Sequence, residues 1–125
     1  DMAVSKIDTA GWTTHQWLYF LRNMPDSVAF DRLGELDNTF GFTKTGNSEI
    51  AAEWFVIAIN NDYRNADEAI KKFLLRVGRR KFLIPLYNAL IDADPSLERA
   101  RSIYAEAKSN YHSVATNTID QMLKL

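Results

Sequence analysis

Asn65-Ala66-Asp67-Glu68-Ala69-Ile70-Lys71-Lys72-Phe73-Leu74-Leu75-Arg76-Val77-Gly78 carries the clearest periodicity of the 125-residue chain and decides its fold class. Ala66, Ala69, Ile70, Phe73, Leu74 and Val77 recur at three-and-four spacing, which lines them along one side of a helix. Asp67, Glu68, Lys71, Lys72 and Arg76 fall on the opposite, solvated side. Asn65 and Glu68 stand at capping-box spacing, so the helix is expected to open there. Gly78 then reads as its left-handed C-terminal stop.

The same pattern repeats in both directions. Upstream, Thr13 and Gln16 form a second capping box, and Trp12 can staple onto Trp17 at the head of a helix over residues 14–23. A helix after Pro25-Asp26-Ser27 runs to about Phe40 on a face of Ala29, Leu33, Leu36 and Phe40, with Gly34 weakening its middle. Residues 41–46 read as a loop. Asn47 or Ser48 caps a helix to Asn60 in which every residue from Ile50 to Ile59 except Glu53 is apolar, the mark of a helix buried on most sides. Downstream, a helix over about 81–91 must hold Pro85 in or near its first turn or be kinked. Asp94 and Pro95 read as cap and first residue of a helix to about Tyr111. Ser113 is expected to cap a last helix carrying Val114, Ile119, Met122 and Leu123. The sum is an all-α chain of about seven helices and no strand. Short connections favour antiparallel neighbours. Helix pairs around a mostly buried third helix predict a two-layer α-α superhelix, an ARM/HEAT-like solenoid. No repeat at a fixed period accompanies it, which leaves a simple bundle as the alternative.

Composition narrows the function classes. Hydrophobic residues make up 46% and charged residues 25% of the chain, as in ordinary globular domains. The formal net charge is −1, so global electrostatics does not point to nucleic acid. Cys is absent, which excludes disulfides and thiolate metal sites. No apolar run reaches the roughly 18 residues of a membrane span. A soluble, cytoplasmic protein is favoured, and opening on Asp1 rather than Met reads as a processed product or an excised fragment.

One stretch breaks local rules. Arg76-Val77-Gly78-Arg79-Arg80-Lys81-Phe82 places four cations in six residues at the junction of two helices. Cations suit a helix end, where they oppose the macrodipole. Arg79, Arg80 and Lys81 instead open the next helix, where the backbone already carries partial positive charge. Such a junction is either a solvated turn or an anion clamp in which Arg79 offers a planar fork and Lys81 a mobile point charge. Elsewhere there is no nucleophile elbow, phosphate-cradling glycine loop or calcium loop. His15 and His112 are far apart and lack the spacing of a zinc pair. Asp92 and Asp94 read as cap and turn residues rather than an acid/base pair. Trp12, Trp17 and Trp54 lie on apolar faces and read as core.

Gly78-Arg79-Arg80-Lys81-Phe82, followed by Pro85-Leu86-Tyr87, resembles the C-terminal helical domain of zinc aminopeptidases of the leukotriene hydrolase and aminopeptidase B type. Asn47-Ser48-Glu49-Ile50 with Trp54, Ala100-Arg101-Ser102-Ile103-Tyr104, and Lys108 through His112 agree with further segments of that family in the same order. The resemblance covers residues 11–125 and leaves residues 1–10 as a leader or linker. It implies an α-α superhelix packed against a separate catalytic domain of the same polypeptide. That domain holds the His-Glu-x-x-His zinc motif, so zinc is expected there and no cofactor in this chain. It also implies that Arg79 and Lys81, in the family's Gly-Arg-x-Lys-Phe segment, bind the carboxylate of a short peptide substrate, whereas Arg80 stands at a variable position. The domain would then close the cleft without being catalytic alone. Epoxide hydrolysis depends on residues outside this segment and is not implied. Nucleic-acid and membrane partners are not expected. The alternative of another class is a free-standing helical-repeat module for protein binding.

Overall fold

The structure, a computed structural model, describes residue 9 and residues 11–125. The described residues form seven α-helices joined by turns and short 3-10 segments, with no strand among them. They divide into two compact units, one ending at Tyr63 and the other spanning Arg64–Leu125.

In the first unit, α1 (Thr14–Arg22) opens on the expected capping box. The Gln16 amide N–H donates to Thr13 Oγ1 at 3.3 Å and the Thr13 N–H to Gln16 Oε1 at 2.7 Å. Trp12 meets Trp17 edge-on, ring centres 4.7 Å apart, as the expected staple. The second helix, α2 (Phe30–Phe40), starts later than the Pro-Asp-Ser signal suggests. The Val28 N–H is taken by the Asn61 side chain at 2.8 Å, which holds the entry strand of chain extended against the end of α3. Gly41 ends α2 at φ +68°, a left-handed position that favours glycine. A 3-10 turn, Phe42–Lys44, then brings Phe42 into the core. The third helix, α3 (Ser48–Asn60), is capped by Asn47, whose side-chain oxygen accepts from the Glu49 and Ile50 N–H groups. It packs on α1, and Ile50, Ala51, Trp54, Phe55, Ala58 and Ile59 are buried, as expected for a helix covered on most sides. The polar atoms of that core converge on Asp37. Its carboxylate accepts from the Thr43 amide (2.9 Å), the Thr43 hydroxyl (2.6 Å) and the Tyr63 hydroxyl (2.9 Å). Thr43 in turn accepts the Trp54 indole N–H at 3.0 Å. Each buried polar tip is thereby satisfied.

In the second unit, four helices pair as α4 with α6 and α5 with both α6 and α7. The first, α4 (Asp67–Arg76), follows a 3-10 turn at Arg64–Ala66. That turn displaces the expected Asn65 capping box, because Asn65 lies inside the turn and Ala66 becomes the helix boundary. Asp67 in the first turn pairs with Arg64 and, at 2.7 Å, with Arg99 of α6. Gly78 is not the left-handed stop either. The helix ends at Arg76, Val77 is extended at φ −87° and ψ 147°, and Gly78 has no positive φ.

The helix α5 (Arg80–Ala93) begins earlier than expected, with Arg79 as its N-cap. Pro85 therefore sits beyond the first turn, inside the helix, and cannot donate to the Lys81 carbonyl. The expected Asp94-Pro95 start of the next helix is also corrected: α6 runs Glu98–Ala107. The Asp94 carboxylate accepts from the Ser96 hydroxyl at 2.6 Å and its amide at 3.2 Å, which folds Pro95 and Ser96 into a turn. Asp94 still reaches the first turn of α6 through the Arg99 N–H at 3.1 Å, so it acts as a cap from further away. Leu97 completes the turn at φ +66° with its side chain buried. A 3-10 turn at Lys108–Asn110 and an extended Tyr111 lead into α7 (Ser113–Met122). Its cap is His112, through Nδ1 accepting from the Val114 N–H, and not Ser113.

Candidate functional site

The basic junction lies between α4 and α5. What fixes it is not a glycine but two side chains from 35 and 37 residues further on. The Asn110 side-chain amide donates to the Leu75 carbonyl at 3.1 Å, and the Tyr111 hydroxyl donates to the Leu74 carbonyl at 2.6 Å. These are carbonyls of the last turn of α4, the groups a helix end leaves without partners. Tyr111 is buried and its one proton goes to Leu74, so at 3.1 Å the Tyr87 hydroxyl must be the donor to Tyr111. Burial raises the pKa of both phenols, for Tyr87 with the Tyr111 hydrogen bond adding to the rise, and keeps them neutral. Sequence reading missed Asn110, Tyr111 and Tyr87 in this role, because nothing local marks a partner so distant in the chain.

From that anchored end the chain turns and presents its cations. Arg79 is the N-cap residue of α5 and provides no side-chain hydrogen bond to the helix, and no acidic residue lies in the first turn. Arg79, Arg80 and Lys81 are all exposed. Arg79 and Lys81 share one support, the buried Phe82 ring, with Cζ 5.8 Å and Nζ 5.1 Å from its centre. Phe82 meets Phe73 of α4 edge-on at 6.0 Å, and the Arg76 guanidinium lies 5.5 Å from the Phe73 centre. Each such contact contributes about 0.5–1 kcal/mol at an exposed site. Arg79 and Arg80 form no ion pair among the described residues. The sequence-predicted pair is thus brought together on one aromatic base, at a positive helix pole with no carboxylate of its own first turn. Chemically, an arrangement of this kind can attract an anion.

His112 caps α7, and His15 is exposed on α1. Asp92 is exposed, and Asp94 is the turn residue described above. Trp54 is fully buried, and Trp17 is half-buried against Phe40 and Phe42. Trp12 is half-buried and also lines an open groove of about 1170 Å³ between α1 and the segment leading into α2. No group of three or more His, Cys, Asp or Glu among the described residues is placed to hold a metal ion, and none of the described helices is long and apolar enough to cross a membrane.

The motif segments each carry a packing task. Asn47, besides capping α3, donates from its side chain to Thr14 at 3.0 Å and ties α1 to α3. Ala100 and Tyr104 are buried on α6, and Lys108 pairs with Asp120 of α7 at 3.2 Å. Comparison with known proteins points the same way. Aminopeptidase B of Mus musculus is 26% identical over 97% of this chain and 19% of its own length. Leucine aminopeptidase 2 of Pyricularia oryzae is 29% identical over 100% of this chain and 21% of its own length. Human aminopeptidase B is 25% identical over 97% of this chain, again 19% of its length. The chain therefore spans about a fifth of the relatives it matches. The family described as "Leukotriene A4 hydrolase, C-terminal" matches residues 12–123, almost all of the sequence, and the chain belongs to that family.

Proposed function

We propose that residues 11–125 are the C-terminal accessory domain of a zinc metallo-aminopeptidase, and that Arg79 and Lys81 bind the free carboxylate of a short peptide substrate. The observation that carries this reading is the pair of exposed cations held on the Phe82 ring at the N-terminus of α5. The match to C-terminal segments of aminopeptidases supports it. Arg79 pairs with the carboxylate through its planar fork, and Lys81 adds a mobile charge. Binding the far end of the peptide sets the distance between its C-terminus and the catalytic centre, and the helical wall closes the cleft. The domain performs no chemistry itself. No group among the described residues is placed to hold a zinc ion, and on this reading the metal is held by a catalytic domain outside this segment.

The test is kinetic and uses the full-length enzyme. Arg79→Ala is expected to lower kcat/KM for free-acid peptides by about 2–4 kcal/mol, a loss of order 30- to 1000-fold. C-terminally amidated peptides should lose far less. Equal losses on both substrates would exclude the carboxylate role.

A further inference from the structure

We propose that Arg76 extends the anion site at the junction of α4 and α5, so that the domain selects peptides whose C-terminal residue is Asp or Glu. The backbone carboxylate pairs with Arg79 and Lys81, and the side-chain carboxylate pairs with Arg76. The proposal rests on the reading of Arg79 and Lys81 as the carboxylate site. Between Glu68 and Asp92 the sequence has no acidic residue, yet it carries Lys71, Lys72, Arg76, Arg79, Arg80 and Lys81. Lys71 pairs with Glu106 and Lys72 with Glu68. The other cations stand at the junction, and a lone backbone carboxylate would bring them a single negative charge. Arg76, Arg79 and Arg80 form no ion pair among the described residues. Cations held side by side repel one another, and a ligand with a second negative charge relieves that repulsion.

An arginine in the last turn of a helix ordinarily reaches the orphan carbonyls there and opposes the dipole. At the end of α4 those carbonyls are already taken. The Phe73 carbonyl accepts the Val77 N–H at 2.9 Å, the Leu74 carbonyl the Tyr111 hydroxyl at 2.6 Å, and the Leu75 carbonyl the Asn110 amide at 3.1 Å. Nor does the helix supply an acid. The residues three and four positions back, where an intrahelical partner would stand, are Phe73 and Lys72. The Arg76 side chain is exposed, leans on the Phe73 ring with Cζ 5.5 Å from its centre, and keeps its N–H donors unspent among the described residues. Phe73 meets Phe82 edge-on at 6.0 Å, and Phe82 carries Arg79 and Lys81. Two adjoining rings therefore gather cations from the end of one helix and the start of the next. Arg79 and Lys81 serve one carboxylate, and Arg76 offers a second planar fork from the neighbouring ring. An aliphatic C-terminal residue leaves that fork empty, whereas Asp or Glu brings a carboxylate to it.

The experiment uses the full-length polypeptide that carries this domain, with tripeptides alike in their first two residues. They end in Glu or in Gln, each as a free acid and as a C-terminal amide. Wild type is expected to show kcat/KM about fivefold higher for the Glu acid than for the Gln acid, the upper end for an ion pair at an exposed cation, with the difference in KM. Arg76→Gln should bring that ratio to about one and leave the Gln acid within about twofold of wild type, and Arg76→Lys should retain part of the preference. Added salt should shrink the preference of wild type and leave the ratio in Arg76→Gln unchanged. Equal kcat/KM for the Glu and Gln acids in wild type overturns the proposal, as does a Glu preference that survives Arg76→Gln. An equal loss on both acids in Arg76→Gln assigns Arg76 to the fold alone and overturns it too. The two readings fail separately. No preference for the Gln acid over its amide removes the carboxylate site and this proposal with it, whereas a free-acid preference without a Glu preference removes only the role of Arg76.

Discussion

At Asp94 and at Asp120 the surroundings favour the charged carboxylate. The Ser96 hydroxyl, aided by the Arg99 backbone N–H, lowers the pKa of Asp94. The Tyr104 hydroxyl, 2.6 Å away, does the same for Asp120, with Lys108 assisting. A carboxylate depressed in the folded state stabilises the fold above its unfolded pKa, and that contribution fades as pH falls through the folded value. Stability is therefore expected to decline in the acid range, below about pH 4 where free aspartate titrates. Asp120→Asn should lower the urea midpoint at pH 7 and bring it closer to wild type at pH 3. An equal deficit at both pH values would show that the carboxylate charge is not what Tyr104 and Lys108 recognise. Glycines give a second residue-scale contrast. Gly41 sits at φ +68°, so Gly41→Ala should cost about 1 kcal/mol in denaturant unfolding. Gly78 has no positive φ, and an added Cβ there meets nothing within 4 Å, so Gly78→Ala should be neutral or stabilise by up to about 1 kcal/mol. Sequence reading assigns Gly78 the role that Gly41 plays.

At the scale of elements, local signals succeed where the helix makes its own partners and fail where a distant side chain competes. The Thr13–Gln16 box, the Trp12–Trp17 staple and the Asn47 cap of α3 are all short-range and all form. The end of α4 is different: Tyr111 and Asn110 take its last carbonyls, and no glycine is needed. The start of α2 is likewise set by Asn61, 33 residues from Val28. At the start of α6, Asp94 prefers the near Ser96 hydroxyl, and the turn that results delays the helix to Glu98. Arg79 and Lys81 were legible as an oddity of charge placement, but the ring that gathers them was not, since nothing in the charge pattern shows that both cations lean on Phe82. Tyr111→Phe should cost about 1–3 kcal/mol of stability, because it strands the buried Leu74 carbonyl and removes the proton that Tyr111 gives to it. On the proposed carboxylate reading, the same change in the full-length protein should raise KM for free-acid peptides more than for amides, because it loosens the junction that presents Arg79. A KM equally raised for both would mean that the Tyr111 bond serves folding alone.

For the whole molecule, the net charge of −1 hides a local concentration of cations at one helix junction, and the average says nothing about it. The fold class was readable because amphipathic periodicity survives any tertiary detail, whereas cap positions depend on which donors arrive from elsewhere. The boundary between Tyr63 and Arg64 has a practical optical consequence. Trp12, Trp17 and Trp54 all precede it, whereas Tyr87, Tyr104 and Tyr111 all follow it in one buried cluster. Indole fluorescence is thus a private reporter of the first unit, and the near-ultraviolet dichroism of the clustered phenols reports chiefly on the second. Denaturation followed at both signals separates the two halves without any label: superimposed curves mean that they melt as one cooperative body, and displaced curves mean that each has a stability of its own.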